Sequence, residues 1–258
     1  MKTAVVGCGA VGCYYGAKLA KTGEEVHFLI RSDWESITQN GVRIISDEGN
    51  VLANPMLALV PEEIGHTELV IVALKSTANH RLKELVGPLI GPETTILTLQ
   101  NGLGSEAVLA DLFGAERVLG GLCFVCLHRI GPGIVHHFAY GKVAIGEFAG
   151  LPSERTHAVA RYFRNAGLTV QITDNLDRSR WEKLVWNIPF NGLGVAGAAG
   201  TIGEAAVLQA PADGYTVLHD AAAITHFVDR FDFFDSGGFD EEAISCHASS
   251  SLSPRPRT

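Results

Sequence analysis

Six residues near the start of the chain, Gly7-Cys8-Gly9-Ala10-Val11-Gly12, have the types and spacing to hold a phosphate. In a G-x-G-x-x-G turn the first glycine permits a tight bend between strand and helix. The second lets the backbone approach a pyrophosphate, and the third lets the helix pack against the strand. The anion then meets the free N–H groups and positive dipole end of the helix. The run therefore predicts a dinucleotide site. Arg31 closes the next apolar run, where an acidic residue would grip the ribose 2′-hydroxyl of NAD. A guanidinium there favours the 2′-phosphate of NADP. Ser32 would add a hydrogen bond, whereas Asp33 is a competing sign for NAD. Ligands of parallel sheets lie beyond the carboxyl ends of the strands. Lys75, after the apolar run 69–74, and Asn101, after the run 95–99, should therefore project toward the cofactor. The blander readings are a solvated lysine and an Asn-Gly turn.

Late in the chain, Lys183, Asn187 and Asn191 are spaced i, i+4, i+8 and would form one polar stripe on a helix. Leu, Val, Trp, Ile and Phe fill the positions between them, so most of this helix should be buried. Buried polar groups need partners, and a polar substrate in a cleft would supply them. The alternative is a stripe facing water. Pro189 should kink the helix.

The elements that must position these residues follow from the pattern. Short apolar runs at 3–6, 26–30, 41–46, 57–60, 69–74 and 95–99 read as strands, and 10–21, 78–90 and 105–113 as helices, with Ser105 as an N-cap. Strands at 117–127, 134–137 and 142–145, a turn at Gly131-Pro132-Gly133, a helix at 153–165 and a last strand at 168–173 follow. Strands alternating with helices imply a parallel sheet covered on both faces. From Leu176 the text is helical, which gives domains at 1–174 and 175–228, and 229–258 reads as an irregular tail.

Composition narrows the function classes. The net charge of −8 argues against a nucleic-acid binder, and 47% hydrophobic residues exclude global disorder. No apolar run is long enough to span a membrane, and the N-terminus lacks the pattern of a signal peptide. Five scattered cysteines argue for a reduced, cytoplasmic protein without a disulfide framework. Cys123 and Cys126 form C-x-x-C in a strand, where an odd separation puts them on opposite faces, so no metal site is read there. Oxidation of Cys8 would crowd a bound cofactor.

Taken together, GCGAVG, Arg31, Lys75 after LVIVAL, LQNG at 99–102 and W-x-K-L-x-x-N-x-x-x-N at 181–191 resemble the ketopantoate reductase (2-dehydropantoate 2-reductase) family, over about residues 1–210. The resemblance implies an α/β fold: an N-terminal Rossmann-type doubly wound sheet followed by a smaller all-helical C-terminal domain, with the active site between them. It implies NADPH-dependent reduction of a small 2-oxo acid, 2-dehydropantoate to (R)-pantoate, a step of pantothenate biosynthesis. It makes Lys183 the general acid, with Asn101 orienting substrate and nicotinamide, Lys75 close to the cofactor and reacting groups, and Asn187 and Asn191 bonding the substrate. The family's late serine and glutamate find no match here, which suggests a helical domain shortened near 210–230. The apolar surface this would leave makes a homodimer the expected assembly. Another NAD(P)-dependent 2-hydroxy acid dehydrogenase of the same plan, or a non-catalytic NADP-binding protein, remain alternatives.

Overall fold

The computed structural model describes residues 1–185. Met1–Trp181 form one compact unit, and a second begins at Glu182. Strand β1 (Thr3–Val6) leads into helix α1 (Ala10–Ala20), then β2 (Val26–Leu29) and α2 (Trp34–Asn40). Three short strands follow: β3 (Val42–Ser46), β4 (Val51–Ala53) and β5 (Met56–Ala58). Next come β6 (Thr67–Val72), α3 (Leu82–Val86), β7 (Ile90–Thr98) and α4 (Ser105–Phe113). A long hairpin, β8 (Val118–Gly131) and β9 (Ile134–Glu147), precedes α5 (Glu154–Asn165) and β10 (Val170–Ile172). Residues 176–185 are helical.

The sheet is built on parallel strands in the order β5-β2-β1-β6-β7-β8. This is the doubly wound Rossmann order, and it reverses between β1 and β6. To this parallel core the sheet adds antiparallel pairs. Strand β9 runs antiparallel to β8, and β4 antiparallel to β3. The first half of β9 pairs with β3 and its second half with β10, both in parallel. The three strands read between 117 and 145 are in fact two, bent by bulges at Phe124/Val125, Cys126/Leu127 and Arg129/Gly131. The bulges break the strict alternation by which Cys123 and Cys126 were placed on opposite faces. Cys8 and Cys13 are free thiols, and among the described residues no group of three metal-ligating side chains gathers.

Burial explains why the central strands read as unbroken apolar runs. Val5, Leu69, Ile71 and Leu97 point into a core filled by Tyr14, Tyr15 and Leu19 of α1 and Phe163 of α5. Ala4, Val6, Val70, Val72 and Ile96 point to the opposite face, against Leu82 and Val86 of α3 and Leu109 of α4. Each fully buried side chain of this size is worth ~1.5–3 kcal/mol, so both faces are committed. Among the described residues, no helix is long and apolar enough to cross a membrane.

Two local readings also change. The helix expected over 78–90 is a 3-10 turn (Ser76–Arg81), the short α3 and a second 3-10 turn (Gly87–Leu89). Pro88 lacks the N–H that would extend α3. Ser105 is not the N-cap of α4. Gly104 is, in a left-handed conformation, and the Ser105 hydroxyl accepts Asn79 Nδ2 at 3.4 Å instead.

Candidate active site

The turn after β1 is shaped by backbone crowding. Gly7 has φ +104°, and a Cβ there would lie 2.6 Å from the Leu74 nitrogen and 2.7 Å from the Ala73 carbonyl carbon. The chain leaving β1 therefore lies against the chain leaving β6, at the point where the strand order reverses. A Cβ on Gly12 would strike the Gly7 carbonyl oxygen, so this glycine seats α1 on the turn. Gly9 behaves differently. It is exposed, and a Cβ built on it meets nothing within 4 Å. Its open side faces the N-terminus of α1, whose first turn carries no acidic residue. That arrangement fits the pyrophosphate of a dinucleotide. Ala10 and Val11 pack against the core. Cys8 does not crowd the open side. Its Sγ lies 3.4 Å from the Leu29 carbonyl oxygen, and burial, with Cys13 and Asp33 adding to it, pushes the thiol pKa well up.

Beyond β2, Arg31 is exposed and makes no ion pair or side-chain hydrogen bond among the described residues. Asp33, the sequence sign for NAD, is otherwise engaged. Its carboxylate pairs with Arg129 and accepts the Gly133 N–H at 3.3 Å and the Ser32 hydroxyl at 3.1 Å. Burial works to raise its pKa, but the bonds from Arg129 and Ser32, the Arg129 charge and the Gly133 N–H outweigh this and hold it below the usual range. Asp33 is thus a buried anchor, and Ser32 spends its proton on it. Lys75 is exposed beyond β6.

The loop after β7 carries Asn101, exposed, between buried anchors. Gln100 is buried; its Oε1 accepts the Thr98 hydroxyl at 3.1 Å and its Nε2 donates to Asn79 Oδ1 at 2.8 Å. Arg180, from the helical residues 176–185, donates to the Gln100 carbonyl at 3.0 Å and pairs with Glu106 of α4. Both charged side chains are under a tenth exposed, and the Arg180 Nε finds no partner among the described residues. Gly120 on β8 leaves the room, since a Cβ there would come 2.7 Å from Glu106 Oε1 and 2.5 Å from Leu176 Cδ2. On that helix Trp181 and Val185 are exposed while Arg180 and Lys183 are buried. The described part of the helix thus turns Leu176, Arg180 and Lys183 inward, and the departure from the sequence expectation is that Trp181 and Val185 face outward.

The first unit thus places the turn 7–12, Arg31, Lys75 and Asn101 on loops at the carboxyl ends of β1, β2, β6 and β7. Lys183 belongs to the second unit, and Asn187 and Asn191 lie outside the described residues. Sequence reasoning missed Arg180, Glu106, Gln100, Asn79 and Arg129. For Glu106 and Arg129 the sequence signal is a charge within a largely apolar element; Gln100, Asn79 and Arg180 carry no such signal.

Residues 3–150 match the family described as Ketopantoate reductase PanE/ApbA. A 2-dehydropantoate 2-reductase of Nostoc sp. is 40% identical over 205 residues, 75% of this chain and 63% of the relative. The chain thus spans under two thirds of the length of that curated relative. The crystal structure of 2-dehydropantoate 2-reductase from Geobacter metallireducens aligns with TM-score 0.74 at 38% identity, over 98% of this chain and 95% of that one. A D-mandelate dehydrogenase structure with NADH and anilino(oxo)acetate aligns with TM-score 0.70 at 22% identity, over 96% of this chain and 79% of that one, which speaks to the fold alone.

Proposed function

The chain belongs to the ketopantoate reductase family, and from that premise we propose that it reduces 2-dehydropantoate to (R)-pantoate with NADPH, in the cytoplasm. One observation carries the reading. An open glycine turn at a helix N-terminus and the exposed Arg31, Lys75 and Asn101 stand at the carboxyl ends of strands about one reversal of strand order. The Gly9 turn would hold the pyrophosphate and Arg31 the 2′-phosphate. A bound reduced nicotinamide supplies the hydride. Asn101 orients the substrate, and Asn187 and Asn191 hydrogen-bond its polar groups. Lys75 supports the negative end of the reacting pair. Lys183 holds the proton that the former ketone oxygen takes up, and its charge offsets the negative charge developing there.

The test is NADPH consumption with 2-dehydropantoate by the wild-type chain and by Lys183→Ala, beside fluorescence titration of NADPH. Turnover should fall by roughly 10²–10⁴-fold in the variant, with NADPH affinity unchanged. Wild-type turnover only with some other 2-oxo acid would replace the substrate. Equal turnover by the variant would remove Lys183 from its role.

A further inference from the structure

Asp33 lies two residues after Arg31 and at the N-cap position of α2, yet its side chain caps nothing there. It reaches instead to the tip of the β8–β9 hairpin, about a hundred residues away in the chain, to Arg129 and the Gly133 N–H. The same tip is tied down at three further points. The Ser36 hydroxyl donates to the Pro132 carbonyl at 3.3 Å, and the Arg43 N–H to the Gly133 carbonyl at 2.8 Å. Gly133 is so close to α2 that a Cβ on it would come 2.7 Å from Ile37 Cγ1. The β2–α2 turn that presents Arg31 is thus held from outside by the hairpin. A carboxylate two residues from Arg31 would, if released, repel a 2′-phosphate held by that arginine and would suit a ribose 2′-hydroxyl.

We propose that the Asp33–Arg129 ion pair sets the preference for NADPH over NADH: Arg129 is a positioning residue that neutralises Asp33, turns it from the ribose, and fixes the turn bearing Arg31. The proposal rests on the NADPH reading above. It makes Arg129, on a strand outside the nucleotide-binding turns, a determinant of cofactor choice. Its side chain is 42% exposed and Asp33's 9%, so the arginine can be replaced with less disturbance than the aspartate.

The experiment titrates NADPH and NADH by nicotinamide fluorescence into the full chain, Arg129→Met, Asp33→Asn and the double variant, with thermal unfolding alongside. Arg129→Met leaves an unpaired carboxylate beside the site, so NADPH affinity should fall by roughly tenfold while NADH affinity holds or rises. Adding Asp33→Asn should restore most of the preference by removing the charge. Asp33→Asn alone should keep the preference, and this arm decides if Arg129→Met does not fold. An equal fall for both cofactors would make the pair merely structural. A double variant that fails to recover would make Arg129 a direct phosphate ligand. Either result, or a preference that survives Arg129→Met, overturns the proposal while NADPH binding stands. A wild-type chain that binds NADH as well as NADPH would instead defeat the cofactor reading, and this inference with it.

Discussion

Two loops at the carboxyl ends of parallel strands are built by opposite means. The turn after β1 is held by the absence of side chains: Gly7 and Gly12 let backbone touch backbone, and its contacts lie close to it in the parallel sheet. The loop after β7 is held by the presence of charge. Arg180 arrives from 80 residues later to grip the Gln100 carbonyl and to neutralise a buried Glu106. The first device is specified by local sterics and resists change at every glycine it uses. The second depends on two residues that must both be present, since removal of one leaves an uncompensated charge.

That contrast can be broken by mutation. Arg180→Met should destabilise the fold by about 3–5 kcal/mol in urea unfolding, because Glu106 is left buried and unpaired, and pairing it with Glu106→Gln should recover part of the loss. If the single variant were nearly neutral, the β7 loop would not be held by charge. Next come the two glycines of the first turn. Gly7→Ala should cost about 3 kcal/mol, from a left-handed backbone and a collision with residues 73–74. Gly9→Ala should change stability by less than about 0.5 kcal/mol yet weaken NADPH binding, because its Cβ occupies the open side alone. Equal losses of stability at both positions would erase the distinction between a packing glycine and a ligand-facing one.

A smaller effect than the one at Gly7 concerns a buried carboxylate that is fully partnered. Burial of Glu147 acts to raise its pKa, but hydrogen bonds from Arg155, Ser153 and Thr156 and the Arg155 charge outweigh it and hold the pKa below the ordinary value. A carboxyl depressed in the folded state contributes stability above its unfolded pKa of about 4.3 and loses it as pH falls through the folded value. Between neutral pH and about pH 3 the wild type should therefore lose on the order of 1 kcal/mol more than Glu147→Gln. Parallel acid unfolding curves would show that the network around Glu147 adds nothing specific to its ionised form.

The same contrast accounts for what the sequence discloses. The β1 turn is legible because its requirement falls on residue type and spacing at adjacent positions, and apolar runs buried on both faces mark β1, β2, β6 and β7. Helix α2 is missed because only Ile37 among WESITQN is buried, which leaves no period to read. Strand β4, with three residues, is too short to show alternation. The pairs Arg180–Glu106 and Arg129–Asp33 join residues far apart in the chain, and nothing in the sequence says which arginine is buried or with whom. Asp33 is the instructive case: its type and position are legible, but its partner Arg129, about a hundred residues away, is not.

The divided edge of β9 also orders events in time. Strand β3 pairs with the first half of β9, about ninety residues further along the chain. At synthesis rates of 5–20 residues per second, β3 waits roughly 5–20 seconds for its partner to be made. Closing so long a loop is entropically slow, so the β3–β9 seam is expected to form after the parallel strands β1, β2 and β6 have collapsed. The nascent chain meanwhile carries β3 and β4 as an open edge, and that hairpin is the segment most exposed to a chaperone or to a neighbouring chain.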